Sequence, residues 1–234
     1  MNSSRHHLET FIQAMADELP PHSLLLDAGA GDCRYARRFG MHRYESADFA
    51  KVKKPYGELT YVCDLTAIPV EDGRFDAILC SQVIAHLPEP RSVLREFHRV
   101  LKPGGRLYVT GPLYFQENEP PYDFFRYTQY GLRRILDDAG LEVERLDWLE
   151  GYGGTVAYQL GMAAQTLRAR PADFGGGPTG WTAATATVFV RPLFAALSLL
   201  YARCDIAYRN TAIGHCKNYA AVARRPPKAP DSDA

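Results

Sequence analysis

Two acids, two glycines and a histidine open the chemistry available to this chain. Asp27 closes the apolar run 24–27, and Gly29 and Gly31 follow at once. Asp48 lies 17 residues beyond Gly31. A strand that ends in an acid and turns through Gly-x-Gly brings bare backbone against a ligand, because glycine takes backbone angles barred to other residues. An acid at the end of the next strand can accept hydrogen bonds from both hydroxyls of a ribose, the alternative being an ordinary loop acid. Together these residues describe a site for an adenosine-bearing cofactor at a helix N-terminus. A dinucleotide fingerprint would need a third glycine where Arg34 stands, and the G-x-x-x-x-G-K-[S/T] phosphate cradle is absent.

His86 follows the apolar run 75–80 within Ser-Gln-Val-Ile-Ala-His-Leu-Pro. An imidazole titrates near neutrality and can serve as a general base; the alternative is a histidine that packs beside the cofactor and hydrogen-bonds a backbone group. The loop 111–127 gathers Tyr114, Phe115, Tyr122, Phe124, Phe125 and Tyr127 with Glu117, Glu119, Asp123 and Arg126. Tyr114 and Asp123 join His86 as candidate proton acceptors, with His215 after them. Tyr114, Tyr122, Arg126 and Tyr127 are candidates to hold the substrate. Arg126 either binds an acidic substrate group or pairs with Asp123 to order the loop.

Periodicity supplies the elements that must position these residues. Residues 4–19 carry Leu8, Phe11, Ile12, Met15 and Leu19 at helical spacing before Pro20-Pro21, as a packing helix or a lid. Strands are expected at 24–27, 43–47, 59–63, 75–80, 106–110 and 141–149, with a last one at 217–224. An amphipathic helix over 89–101 ends at the turn Lys-Pro-Gly-Gly, and Thr128 caps another that stops at Gly140. Lys51, Lys53 and Lys54 read as a solvated loop. In open α/β sheets ligands bind beyond the carboxyl ends of the strands, so the loop after the fifth strand should wall an acceptor pocket.

In this order the pieces resemble the class I S-adenosylmethionine-dependent methyltransferases. The resemblance rests on Asp27-Ala-Gly-Ala-Gly31, on Glu-Asp-Gly-Arg-Phe-Asp before the fourth strand, on Ala85-His86-Leu87 and on Leu101-Lys-Pro-Gly-Gly105. It covers about residues 20–150 and the last strand, and departs where Cys33 replaces the third glycine of the first motif. It implies a Rossmann-like, doubly wound α/β fold with a mostly parallel seven-stranded sheet and an antiparallel last strand. It implies S-adenosylmethionine as cofactor, held by Asp27, Ala28, Gly29, Gly31, Asp48, Phe49, Asp64, Leu65, Ser81, Gln82 and His86. Asp64 would face the adenine amino group with the Leu65 backbone beside it; the alternative is a turn cap. The reaction implied is methyl transfer to an oxygen or nitrogen of a small-molecule acceptor, and Tyr122-Asp-Phe-Phe-Arg-Tyr-Thr128 resembles a segment of bacterial small-molecule members. A non-catalytic protein that binds the same cofactor is the reading from another class.

Between the sixth and last strands lie about 66 residues, 150–215, too many for a bare loop. A helical cap insertion is expected there, with helices over 155–168 and 184–208, the second punctuated by Pro192 and joined to the first through a flexible stretch 171–180. By the resemblance this insert should roof the active site. The second helix is apolar on most faces and so should be buried: internally, against a second copy in a homodimer, around a greasy acceptor, or on a membrane surface. The domain division expected is 1–22 (N-terminal helix or lid), 23–149 with 216–225 (cofactor domain), 150–215 (cap) and 226–234 (disordered tail).

Composition narrows the class. The 234 residues hold 27 basic and 27 acidic side chains, which argues against an electrostatically driven nucleic-acid binder. Five scattered cysteines show no metal-binding spacing, so reduced thiols, no structural metal and a cytoplasmic location are expected. Neither a leader nor an unbroken 18-residue apolar run is read, hence no membrane span. Cys33, Cys63 and Cys80 fall near cofactor-facing strand ends, so alkylation of these thiols should lower activity and bound cofactor should protect.

Overall fold

The computed structural model describes residues 2–227. The chain forms two compact units. One comprises Glu9–Leu149 and the chain from Asn218 onward; the other comprises Glu150–Lys217 and the N-terminal residues through Leu8.

The first unit is built on a seven-stranded sheet of order β3-β2-β1-β4-β5-β7-β6. Its strands are β1 (Leu24–Ala28), β2 (Arg43–Asp48), β3 (Tyr61–Val62), β4 (Phe75–Ser81), β5 (Leu101–Pro112), β6 (Glu142–Trp148) and β7 (Asn218–Arg224). Neighbours from β3 to β5 run parallel, and β7 runs antiparallel to both β5 and β6. All five residues of β1 are buried, as a central parallel strand covered on both faces requires. Helix α1 (Ser3–Glu18) contributes Ile12 and Met15 to the core, and α2 (Pro90–Val100) contributes Val93, Leu94, Phe97 and Val100. Helix α3 (Gln129–Asp137) starts where the Thr128 hydroxyl accepts a hydrogen bond from the Gly131 N–H.

Several local expectations change. No α-helix follows the glycine turn: residues 31–35 form turns, and only a short 3₁₀ helix, Ala36–Phe39, precedes β2. Cys33 has φ +54°, a left-handed conformation in which an α-helix cannot start. Lys-Pro-Gly-Gly is not a separate turn but part of β5, because Gly104 N–H donates to Arg225 O and Arg225 N–H to Gly105 O, both at 2.9 Å. The third strand shrinks to two residues.

The second unit is a helical pair, α4 (Tyr152–Thr166) and α5 (Gly177–Tyr208). Ser198 Oγ donates to Ala157 O at 2.7 Å and Arg191 Nε to Ala164 O at 2.9 Å, which sets the two helices antiparallel. Both helices begin earlier than periodicity indicates: α5 takes in the Gly-Pro-Thr-Gly that reads as flexible, and it continues through Pro192. At 32 residues α5 is long and apolar enough by composition to cross a membrane, although Arg191 and Pro192 interrupt its apolar run. Asp205 is buried and accepts a hydrogen bond from Ser3 Oγ at 2.5 Å, with His7 Nε2 3.2 Å away, so the first turn of α1 is tied to α5. The tail expected to be disordered lies, from residue 228 on, outside the described residues.

Candidate cofactor site at the carboxyl edge of the sheet

The site begins where β1 ends. Gly29 and Gly31 have φ +81° and +54°. A Cβ on Gly29 would stand 2.7 Å from Val83 Cγ1, so only glycine fits against this side chain. A Cβ on Gly31 would meet nothing nearer than Lys54 Cε at 4.0 Å, so the flank of this residue is bare and open. The turn is pinned to β2 by Gly29 N–H and Ala30 N–H, which donate to Ala47 O at 2.7 and 3.1 Å. Cys33, at the position of the third glycine of the motif, takes a left-handed backbone, with its thiol directed at Glu58 O.

Asp48 is buried and holds the turn from the side: Oδ2 accepts from Gly31 N–H and Oδ1 from Ala50 N–H, each at 3.0 Å. Each carboxylate oxygen keeps a further lone pair, enough for a ligand hydroxyl. Asp27 is also buried and accepts from the Tyr44 hydroxyl at 2.7 Å. Burial pushes its carboxyl up to about 7, against the pull of the Tyr44 hydrogen bond and with help from the charges of Asp48 and Asp32. An approaching cation would restore the ionised form.

Beyond β4, the Ser81 hydroxyl is buried without a hydrogen-bond partner, a state that native interiors seldom leave unfilled. Gln82 is tied to β5, its Nε2 donating to Thr110 Oγ1 at 3.1 Å and its N–H to Thr110 O at 3.1 Å. His86 Nδ1 lies 2.5 Å from Tyr122 O. A carbonyl only accepts, so Nδ1 carries the proton and Nε2 is the basic nitrogen.

The loop after β5 docks on the 3₁₀ helix Ile84–His86. Phe124 and Phe125 N–H both donate to Ala85 O, and the hydroxyl of buried Tyr127 donates to Ile84 O at 3.3 Å. Asp123 accepts both Nη groups of Arg126, at 2.6 and 2.8 Å, and Asn118 N–H at 2.6 Å. The Arg126 hydrogen bonds hold Asp123 down at about 2, so it is a poor proton acceptor at neutral pH. Arg126 also donates to Phe115 O, Gln116 O and Phe125 O, the geometry of a loop-ordering residue. Tyr114 is exposed, and the Tyr122 ring meets Phe49 edge-on at 5.1 Å.

Asp64 follows Cys63, whose N–H donates to Asp48 O at 3.0 Å, at the carboxyl end of β3. Asp64 is exposed and accepts from Thr66 N–H and Oγ1, both at 2.9 Å, in a turn cap, while Leu65 is buried behind it. His215 belongs to the helical unit, its ring 5.5 Å from Tyr152. Two contacts escape sequence reading. Tyr44 carries no mark of its bond to Asp27, and Lys54 is not merely solvated: its Nζ meets both Glu119 oxygens, at 3.0 and 3.1 Å, joining the loops after β2 and β5. The thiol expectation also narrows. Cys80 is wholly buried and pushed up to about 12, and burial lifts Cys63 to about 11, so Cys33 is the site thiol open to alkylation in the folded chain.

The bare flank of Gly31, the spare lone pairs of Asp48 and the orphan hydroxyl of Ser81 fit an adenosyl cofactor. Among the described residues no cluster of His, Cys, Asp or Glu could hold a metal ion.

Residues 26–109 match the methyltransferase domain family. An arsenite methyltransferase of Aquipseudomonas alcaligenes is 43% identical over 76 residues, covering 32% of this chain and 19% of that protein. A ubiquinone biosynthesis O-methyltransferase of Pseudomonas paraeruginosa is 32% identical over 85 residues, covering 36% of this chain and 32% of the relative. The chain thus spans less than a third of the length of these curated relatives. Among solved structures, the Burkholderia thailandensis 1,6-didemethyltoxoflavin-N1-methyltransferase, with bound 1,6-didemethyltoxoflavin and S-adenosylhomocysteine, superposes with a TM-score of 0.56 at 15% identity. That match covers 94% of this chain and 78% of the other, and it establishes the shared fold.

Proposed function

We propose that this chain, which carries a class I S-adenosylmethionine-dependent methyltransferase domain, moves the cofactor's methyl group to an oxygen or nitrogen of a small-molecule acceptor. The observation that carries the reading is Asp48, which braces the open Gly31 turn while keeping lone pairs for a ribose. When bound, S-adenosylmethionine supplies a methyl group already activated by the positive charge on sulfur. The protein's work is then largely positioning, which can supply about 7–11 kcal/mol of barrier lowering.

Asp48 accepts the ribose hydroxyls, and the Gly31 flank lets the adenosyl group lie against backbone. A bound cation would favour the ionised form of Asp27. His86 Nε2 takes the proton of an acceptor hydroxyl or amine where that acceptor enters protonated. Asp123 keeps its charge and holds the loop. Tyr114 and Tyr122 face the acceptor. The named relatives and the solved neighbour, acting on arsenite, a ubiquinone precursor and a nitrogen of a toxoflavin precursor, support a small-molecule acceptor and leave its class wide.

Calorimetric titration with S-adenosylhomocysteine, with NAD as control, tests the cofactor assignment. Wild type should bind the first ligand at a Kd on the order of micromolar and ignore the second. Asp48→Ala should lose at least tenfold in affinity at unchanged circular dichroism. Binding of NAD alone, or of neither ligand, sinks the reading. Once the ligand is established, turnover separates an enzyme from a non-catalytic binder: His86→Gln should slow methylation of any accepted substrate by about 10²-fold or more at saturating cofactor.

A further inference from the structure

Helix α5 carries two faces that do opposite things. Ala184, Thr187, Ala202 and Asp205 are buried, and Arg191 and Ser198 hydrogen-bond to the backbone of α4. Phe189, Leu193, Ala196, Leu200 and Arg203 recur at intervals of four and three residues, one stripe of the helix, and all are exposed. Phe189 is 74% exposed. Only 11% of the most apolar 18-residue window of α5 is buried, the reverse of the core helix of a water-soluble protein. Trp181 and Tyr208 stand exposed near the two ends of the helix.

Charge distinguishes the surfaces that could cover this stripe. The whole chain is balanced, yet Met1–Leu8 with Glu150–Lys217 hold seven Lys and Arg against three Asp and Glu. Of those three acids, Glu150 and Asp205 are buried and only Asp173 is exposed, whereas Arg5, Arg168, Arg170, Arg203 and Arg209 are all exposed. The unit therefore shows water an apolar helix stripe that carries Arg203, and its exposed charge is mostly positive. A second copy of the chain would bring the same positive charge to the contact, and like charges oppose association. An anionic lipid surface supplies what both features need: negative headgroups for the arginines and acyl chains for the stripe.

We propose that α5 lies in the plane of an anionic bilayer and anchors the protein to it. The helix lies on the bilayer rather than crossing it. Spanning would draw Arg191 and the buried Asp205 into lipid and break the α4–α5 hydrogen bonds. Trp181 and Tyr208 then sit at headgroup depth, where amphipathic aromatic rings concentrate.

Flotation of the full chain with vesicles decides it. The protein should float with phosphatidylcholine vesicles containing roughly a third phosphatidylglycerol, at least tenfold more than with phosphatidylcholine alone, and less as salt rises. Phe189→Glu with Leu193→Glu should cut the bound fraction at least tenfold with no fall in Tm, because both side chains already meet water. Binding to neither vesicle, or binding unchanged by the double substitution, overturns the proposal. So does a dimer, seen by light scattering, that the same substitutions dissolve without any vesicle binding; that outcome would assign the stripe to a second copy.

Discussion

In the sheet unit Leu25, Ile78 and Leu107 are wholly shielded from water, while in the helical unit Phe189, Leu193 and Leu200 are each more than half exposed. The residue types hardly differ. What differs is their neighbours: a parallel strand has a strand on each side and cover above and below, whereas α5 has α4 along one face. Apolar content alone therefore does not distinguish a residue that holds the fold from one that waits for a partner, and the burial of each residue does. In the first unit the hydrophobic effect is already satisfied by folding, and in the second a large part of it is left for binding.

Substitutions can break or sharpen this contrast. Ile78→Ala should cost about 2–5 kcal/mol in denaturant unfolding, because the site cannot collapse around the lost atoms. A cost near zero would mean that the sheet core is looser than its burial indicates. Asp27→Asn should act in the other direction. The Asp27 carboxyl sits near 3.8 when unfolded and about 7 when folded, so folding favours the protonated form. Wild-type stability then falls as pH rises between those values and levels off above them. The substitution should stabilise by about 2–4 kcal/mol near pH 8, with a smaller gain near pH 5, read from melts at both values. Asp123→Asn strips a half-buried, bidentate partner from Arg126 and should cost about 1–3 kcal/mol, together with faster proteolysis of the loop after β5. Leu193→Ala should stay within about 0.5 kcal/mol of wild type, since the side chain is already solvated. A loss of about 2 kcal/mol there would show that α5 is packed in solution and would erase the contrast between the units.

The sheet and the cofactor turn were legible because their signals are local. Asp27, Gly29 and Gly31 are adjacent in sequence, and Asp48 closes the very next strand. What was not legible lies in contacts between distant residues. Lys54 and Glu119 are 65 positions apart, each unremarkable alone. His86 is oriented by a backbone carbonyl, and every residue has one. The helix expected after the glycine turn gives way to a 3₁₀ turn because Cys33 adopts a left-handed conformation, which its side chain does not announce. The exposure of α5 was hidden for a related reason: a helix apolar on most faces reads as buried, and only its packing shows which face is covered.

The place where the helical unit joins the sheet has a consequence for how such a protein could diversify. Trp148 of β6 pairs with Tyr219 of β7, and Leu149 N–H donates to Asn218 O at 2.9 Å, so the strands on either side of the insertion are already hydrogen-bonded neighbours. A tight turn could bridge that gap. Insertions of quite different length and character can therefore be exchanged at this junction without shifting the register of any strand, leaving the cofactor turn untouched while whatever the insertion recognises is rewritten.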